Sequence, residues 1–393
     1  MTSLGIPASL HRHLAPLAAV LFASVLVLAP AQAAPACPPV WQSWQDFSGH
    51  WMSDGGRIVD HGDARLHTVS EAQAYSMLFA LAANDRASFD RLLDWTQDNL
   101  AQGDLTAHLP AWLWGKRDDE QWGVLDPNSA SDADLWMSWS LLEAGRLWSS
   151  PRYTALGRLL ASRIQREETA DLPGLGPTLL PAPHGYTPTA DSWRLNPSYA
   201  PLQLMRRLAA EPNGGTWQAL ADSNVKLVLG SAPHGYAPDW VLYQRNGGFS
   251  ADPDTQGVGS YDAIRVYLWA ALLAADEPQR DKLVNALRPM AAAVAHDGVP
   301  PARVDTAAGT YAGSGPAAFS AALIPFLQVS GFADASRDQA LRLQAIDPQR
   351  GQGYYDRVLG LFASGWQDGW LRFDRDGHLQ TRWNPACVAA SRR

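Results

Sequence analysis

Two cysteines in 393 residues, a net charge of −8 and no apolar run long enough to read as a membrane span set the first limits on this chain. A nucleic-acid partner asks for a basic face, and the charge balance offers none. The apolar run from Leu17 to Leu28 is shorter than the ~20 residues that cross a bilayer, so no stable membrane insertion is expected of the mature chain. Glycine-rich phosphate loops and the H-E-x-x-H zinc pattern are missing, and the ten histidines are scattered. No metal or organic cofactor is expected. Gly313-Ser314-Gly315 lacks the spacing of a nucleophile elbow. No low-complexity linker interrupts residues 41–383, which favours a single domain.

What remains is a chain with a substantial core. Hydrophobic residues make up 46% and charged residues 18%, far from the composition of disorder. Tryptophan is the unusual count, at 17. Its flat face suits a carbohydrate groove, although a large helical core could absorb most of it. Near the N-terminus, Arg12 between His11 and His13, the Leu17–Leu28 run and Ala31-Gln32-Ala33 read as a secretion signal cleaved after Ala33. Residues 1–33 are therefore expected to be a signal peptide and 34–393 one catalytic domain, periplasmic or secreted. A lipoprotein reading of Ala34-Pro35-Ala36-Cys37 is weaker, because Ala34 is not a large aliphatic residue. In an exported protein the isolated pair Cys37 and Cys387 suggests a disulfide tying the two termini, with a structural role.

Helical periodicity dominates the rest. Tyr75, Leu78, Leu81 and Ala82 form one face, and Phe89, Leu92, Leu93, Thr96 and Leu100 another, stopped by Gly103. Further helices are predicted over 41–52, 132–148, 152–167, 197–210, 215–230, 260–275, 278–296, 316–330, 335–346 and 352–364, about twelve in all. Asn196-Pro197 is read as a cap followed by proline in the first helical position. Short hairpins are expected at Trp112–Trp114 with Trp122–Leu125, and around Asp376-Gly377. Pro-His-Gly-Tyr occurs at 183–186 and again at 233–236, and reads as a recurring turn. Paired helices with long Gly-, Pro- and Trp-rich loops between the pairs suggest a toroid of helical hairpins, its loops gathered at one end.

The acidic residues carry two readings each. Glu71 follows Thr68 by three residues, the spacing of a capping box. It also opens a helix with ten uncharged residues behind it, where desolvation would raise a carboxyl pKa as a general acid needs. Asp132 and Asp134 sit at a helix start, where either complements the helix dipole. Two apart on a helix, they point in different directions. Asp262 and Arg265 form either a surface pair or, given the apolar run that follows, a buried one with a purpose. Asp252-x-Asp254 reads as a solvated loop, with weak calcium binding as a minor alternative.

Taken together, four motifs resemble glycoside hydrolase family 8. They are Ala130-Ser131-Asp132-Ala133-Asp134-x-x-Met137, Ser70-Glu71-Ala72-Gln73-Ala74-Tyr75, Asn196-Pro197-Ser198-Tyr199 and Tyr261-Asp262-Ala263-x-Arg265. Ser138 stands where the family pattern usually has alanine. Ala82-Ala83-Asn84-Asp85-Arg86 and the stretch Leu109 to Gly115 look like the branch of the family encoded with bacterial cellulose synthase. The resemblance implies an all-α (α/α)6 barrel with short peripheral β-hairpins. It implies endo-hydrolysis of a β-1,4-glucan chain with inversion, with cellulose synthase machinery as a candidate partner. It also implies roles: Glu71 as general acid, Asp262 as general base, Asp132 stabilising the sugar at the cleavage point, Tyr199 orienting the water and Arg265 holding the base ionised. Trp112, Trp114 and Trp193 are candidates for stacking on glucose rings. If Glu71 is the acid, the capping box with Thr68 has to be broken. Rival readings keep the fold but change the polymer to xylan, chitosan or mixed-linkage glucan, or make the chain a non-catalytic glucan-binding subunit. An epimerase on a similar barrel would need central histidines, and none of the motifs supplies one.

Overall fold

Why the helices alternate between two environments is visible in their side chains. In the computed structural model, which describes residues 40–345 and 353–383, one set of helices is the more deeply buried, nearly all round in most of them. These are α2 (Ser70–Ala82), α4 (Ser131–Leu147), α6 (Leu202–Ala209), α8 (Ile264–Leu272), α10 (Ala317–Val329) and α12 (Tyr354–Gln367). Each packs on a partner that leaves part of its surface to solvent: α3 (Arg86–Leu100), α5 (Pro151–Glu167), α7 (Gly215–Ser231), α9 (Arg280–Asp297), α11 (Ala333–Ala345) and α1 (Gln42–Trp51) against α12. A helix apolar all round must sit inside, and an amphipathic one outside. Six inner and six outer helices make the (α/α)6 barrel. Successive inner helices pack side by side from α2 through α12.

The two ends of the barrel are built differently. Inner-to-outer turns are short, as at Ala83-Asn84-Asp85, where Asn84 takes a positive φ of 59° and Asp85 caps α3 by accepting from the Ser88 N–H. All eleven strands among the described residues fall in the opposite, outer-to-inner connections. β1 (Thr68–Val69), β2 (Leu113–Lys116) and β3 (Trp122–Asp126) form one antiparallel sheet. β4 (Thr169–Leu172) pairs with β5 (Gly176–Leu179). β6 (Ser192–Leu195), β7 (Val241–Gln244) and β8 (Gly248–Ala251) form another sheet, and β9 (Val258–Gly259), β10 (Arg303–Asp305) and β11 (Thr310–Ala312) the last. This end, where each inner helix begins, carries the long loops.

Aromatic rings fill the barrel axis. Tyr75 lies edge-on to Phe362 at 5.4 Å, Phe79 to Phe362 at 4.9 Å, and Trp269 to Phe362 at 5.1 Å, with Trp136 against Trp269 at 5.3 Å. Removing such a ring from water stabilises by roughly 1.5–3 kcal/mol, and each favourable ring pair adds about 0.5–1.5 kcal/mol. Ten of the 17 tryptophans are buried, so the core does absorb most of that excess. α4 and α5 come close because Gly145 and Gly157 face the neighbouring helix: a Cβ on Gly145 would lie 2.2 Å from the Thr154 hydroxyl.

At the far end of α4, fully buried Glu143 accepts from Arg146, Arg207 and the Leu379 N–H and contacts His378. Burial alone would push its carboxyl up, but these partners outweigh that and hold it at about 2. The cluster anchors the C-terminal turn, in which the predicted Asp376-Gly377 hairpin signal is met by a positive φ of 77° at Gly377 and a Phe373–Leu379 bridge.

Several expectations are corrected here. The helix predicted over 197–210 begins only at Leu202, after Pro201. Asn196 does not cap it; its side-chain oxygen accepts from the Ser198 N–H and hydroxyl instead. Asp252 is not solvated: it is 1% exposed and accepts two hydrogen bonds from Arg194, at 2.8 and 3.1 Å. Both Pro-His-Gly-Tyr copies are turns with positive φ, 90° at Gly185 and 78° at Gly235. The expected signal peptide, Cys37 and Cys387 lie outside the described residues. Among the described residues no helix is long and apolar enough to cross a membrane.

Candidate active site

Four of the sequence-predicted residues stand at the starts of successive inner helices. Glu71 is in the first turn of α2 and Asp132 in the first turn of α4. Tyr199 precedes α6, and Asp262 lies in the turn leading into α8. One set of loops thus gathers groups up to 190 residues apart in sequence.

Arg265 is the centre of the arrangement. Its guanidinium is buried, and one nitrogen donates to both the Asp132 carboxylate and the Tyr75 hydroxyl at 3.0 Å. The other donates to Asp262 at 2.8 Å. The fork geometry of arginine suits it to hold two acids at once. Asn196 donates its amide to the second Asp262 oxygen at 3.1 Å. The Tyr199 ring lies 5.7 Å from the Arg265 guanidinium carbon, with Trp240 against its edge at 5.7 Å. The pair Asp262–Arg265 is therefore the buried alternative, not a surface pair.

The capping box at Glu71 is absent. Thr68 belongs to β1, its hydroxyl donates to the Ile58 carbonyl at 2.5 Å and accepts from Arg57, and no side chain caps α2. The strand β1, paired to β2 at Thr68–Trp114 and Val69–Leu113, fixes where α2 begins. The Ser70 N–H donates to the Trp112 carbonyl at 2.8 Å. Glu71 is thus left free of Thr68, with Ser70 as a weak donor at 3.3 Å and its own backbone N–H as another. Burial, and next the Asp132 charge, raise its carboxyl to about 8, against the opposing pull of Arg265. Burial also raises Asp132, to about 6, with Arg265 and the Ala133 N–H resisting. Near neutral pH the site therefore holds a protonated carboxyl, Glu71, beside an ionised one, Asp132. That is the combination used to protonate a leaving oxygen while activating water.

Sequence reasoning missed Asp239. One of its carboxylate oxygens accepts from three backbone N–H groups, of Ser260, Asp262 and Ala263, at 2.8, 2.9 and 2.7 Å. It ties down the turn that presents Asp262. Nothing local in Pro238-Asp239-Trp240 announces this, because the donors lie more than twenty residues on. Asp239→Ala leaves these donors without their acceptor. Its expected cost is on the order of 2–3 kcal/mol, read as a lower urea midpoint; Asp239→Asn, which keeps an acceptor oxygen, should recover most of it.

The candidate stacking residues divide. Trp112 is 37% exposed beside Ser70. Trp114 is packed, stacked on Trp122 at 5.3 Å and under the Arg57 guanidinium at 4.3 Å. Trp122 shows the open surface of that hairpin, at 45%. Trp193 is buried in a second apolar cluster with Leu195, Val241 and Tyr243, and offers no free face. Tyr261, beside Asp262, is 58% exposed and was not singled out for stacking. Among the described residues no cluster of His, Cys, Asp or Glu has the makings of a metal site.

An (α/α)6 barrel with acids collected at the starts of its inner helices, one protonated and two bound to a single arginine, defines a glycoside hydrolase. The chain belongs to glycosyl hydrolases family 8, whose profile matches residues 15–369. It is 45% identical to an endoglucanase of Salmonella typhi over 373 residues, 93% of this chain and 97% of the relative. An endoglucanase of Xanthomonas axonopodis pv. citri is 42% identical over 381 residues, covering 96% and 97%. Among solved structures, the endo-1,4-D-glucanase from Vibrio fischeri ES114 superposes with a TM-score of 0.80 at 40% identity, covering 87% of this chain and 99% of that one. A cold-adapted family 8 xylanase shares the fold, at a TM-score of 0.66 and 14% identity, over 84% of this chain and 90% of that one.

Proposed function

We propose that the protein is an endo-1,4-β-glucanase that cleaves β-1,4-glucan with inversion. Glu71 is the general acid that protonates the leaving oxygen, and Asp262 is the general base that activates water from the opposite face. Asp132 steadies the sugar ring and its developing positive charge, and Tyr199 helps orient the water. The observation that carries this reading is Arg265, which clamps Asp132 and Asp262 as anions while Glu71, outside the clamp, keeps its proton. Inversion needs the acid and base about 6.5–9.5 Å apart to admit a water. Placing them at the starts of two different inner helices suits that requirement. Trp112, partly exposed and bonded through its carbonyl to the residue before the acid, is the candidate to stack on a glucose ring there.

The substrate follows from the relatives, whose names all specify endoglucanases at 41–46% identity over most of this chain. The reading extends to a leader at 1–33, a catalytic domain at 34–393, periplasmic action and a part in bacterial cellulose biosynthesis beside the synthase. Its support is the sequence likeness of the Ala82–Arg86 and Leu109–Gly115 stretches to that branch of the family. Release of reducing ends from carboxymethylcellulose, compared with xylan, chitosan and mixed-linkage glucan, tests the assignment. The expected result is fastest release from carboxymethylcellulose, with viscosity falling ahead of reducing ends. Preference for another polymer overturns the substrate, and no release from any overturns the reaction.

A further inference from the structure

Directly behind Asp132 the chain buries two more acids that the proposed reaction does not use. Asp134, in the first turn of α4, is 0% exposed, and so is Glu168, the residue that ends α5. The two carboxyls face each other closely enough that each is a main influence on the other's ionisation. The Ser129 hydroxyl donates to Glu168 at 2.5 Å, and among the described residues no N–H or hydroxyl donor reaches the Asp134 oxygens or the second Glu168 oxygen. The charges that bear on Asp134 are the acids Glu168, Asp132 and Glu71; those on Glu168 include Asp132 and Glu167. None of these is a cation. Two carboxylates cannot both stay ionised in a dry site where, among the described residues, no cation is paired with either, and a carboxylate can accept a hydrogen bond from another carboxyl only if that one carries a proton.

We propose that Asp134 and Glu168 share one proton, Asp134 donating to Glu168, and that this acid pair pins the first turn of α4 and so positions Asp132 in the reaction centre. The backbone around it fits a clamp. Ser129 leads into α4 and is bonded to Glu168, the Ser131 N–H donates to the Pro181 carbonyl at 2.9 Å, and the Leu180 N–H donates to the Glu168 carbonyl at 2.7 Å. Glu168 thus joins the end of α5, the strand β5 and the start of α4 at one point. Asp132, held between Ser131 and Asp134, keeps its carboxylate turned to Arg265. Asp134 is a positioning residue: it touches neither Arg265 nor the partly open face of the site.

The positioning role rests on the assignment of Asp132 to the reaction centre; the shared proton does not. Both are tested in the full chain, with the proton read in a Glu71→Gln background so that the protonated Glu71 does not contribute, and by difference so that acids common to both variants cancel. Infrared difference spectra of Glu71→Gln against Glu71→Gln/Asp134→Asn at neutral pH should show the carbonyl stretch of one protonated carboxylic acid, lost in the double variant. The linkage sign is fixed by the raised acidity constants. The folded pair keeps a proton that the unfolded chain releases above about 4, so stability falls as pH rises from there through the value to which burial lifts the pair. In the Asp134→Asn background that slope should flatten. For catalysis, Asp134→Asn, whose amide donates as the acid does, should retain most of kcat. Asp134→Ala should lose kcat by about 10²-fold with KM little changed. Glu168→Gln, whose amide can donate to an ionised Asp134, supplies a second isostere should Asp134→Asn fail to fold. No carboxylic acid band at neutral pH overturns the shared proton. Folded amide variants as inactive as Asp134→Ala overturn the positioning role.

Discussion

Glu71→Gln is expected to lose hydrolysis by about 10²–10⁴-fold, the usual worth of a general acid, while remaining as stable as the wild type or more so. Glutamine copies the shape of a protonated glutamate but has no proton to give. The physical basis is the site's own electrostatics: burial and the Asp132 charge lift Glu71 to about 8. A carboxyl raised in the folded state is stabilised while protonated, and that contribution is lost as pH rises from about 4 through the folded value. An amide is indifferent to pH, so at pH 7 the variant should gain stability on the order of 1 kcal/mol, discounted because Glu71 is partly open to solvent. In the wild type kcat/KM should decline as pH rises through about 8, when Glu71 gives up its proton. Any residual activity of Glu71→Gln should lack that limb. Unchanged turnover in a folded variant would remove Glu71 from the reaction.

Arg265→Met tests the other half of the site and should be costly in both stability and rate. Methionine has nearly the length of arginine without its charge, so Asp132, 1% exposed, loses its only cation within ion-pair distance among the described residues, and Asp262 loses the same partner. Breaking one partner from a buried ion network typically costs about 3–5 kcal/mol. The cost should shrink on acidification. With burial already lifting Asp132 to about 6, removing Arg265 lifts it further, and protonation below that value relieves the uncompensated charge. Urea unfolding at pH 7 and at pH 5 measures this, with a larger gap between variant and wild type at the higher pH. Activity should be lost at both, because the proposed base is no longer held as an anion. An Arg265→Met protein with wild-type stability at pH 7 would show that the two aspartates do not depend on the clamp.

The barrel was legible because inner and outer helices leave different traces in sequence. Runs such as Ile264–Leu272 and Ala317–Val329, apolar on every face, and one-striped helices such as Pro151–Glu167 are long enough for periodicity to register. The hairpin of β2 and β3 was legible through its tryptophans. The remaining strands were not, since each is two to four residues long and several contain glycine or proline. Their existence depends on packing against α7 and the inner-helix starts, which no local window contains. Asn196-Pro197 misled for a related reason: asparagine that closes a turn on Ser198 has the same local sequence as asparagine that caps a helix. Of the site, the acids in family-like motifs were readable, but their supports were not. Asp239 binds N–H groups far along the chain, and Glu168 follows Glu167 at a helix end, where it looks like surface charge. Asp252 looked solvated because its arginine lies 58 residues away.

The account stands most directly on which anomer leaves the enzyme first. Proton NMR of a β-1,4-linked cello-oligosaccharide mixed with fresh enzyme follows the new reducing end before mutarotation equilibrates it. Water attacking opposite the leaving oxygen, activated by Asp262 while Glu71 donates, predicts the α-anomer as the initial product. The β-anomer appearing first would mean retention, and would contradict the division of roles between Glu71 and Asp262.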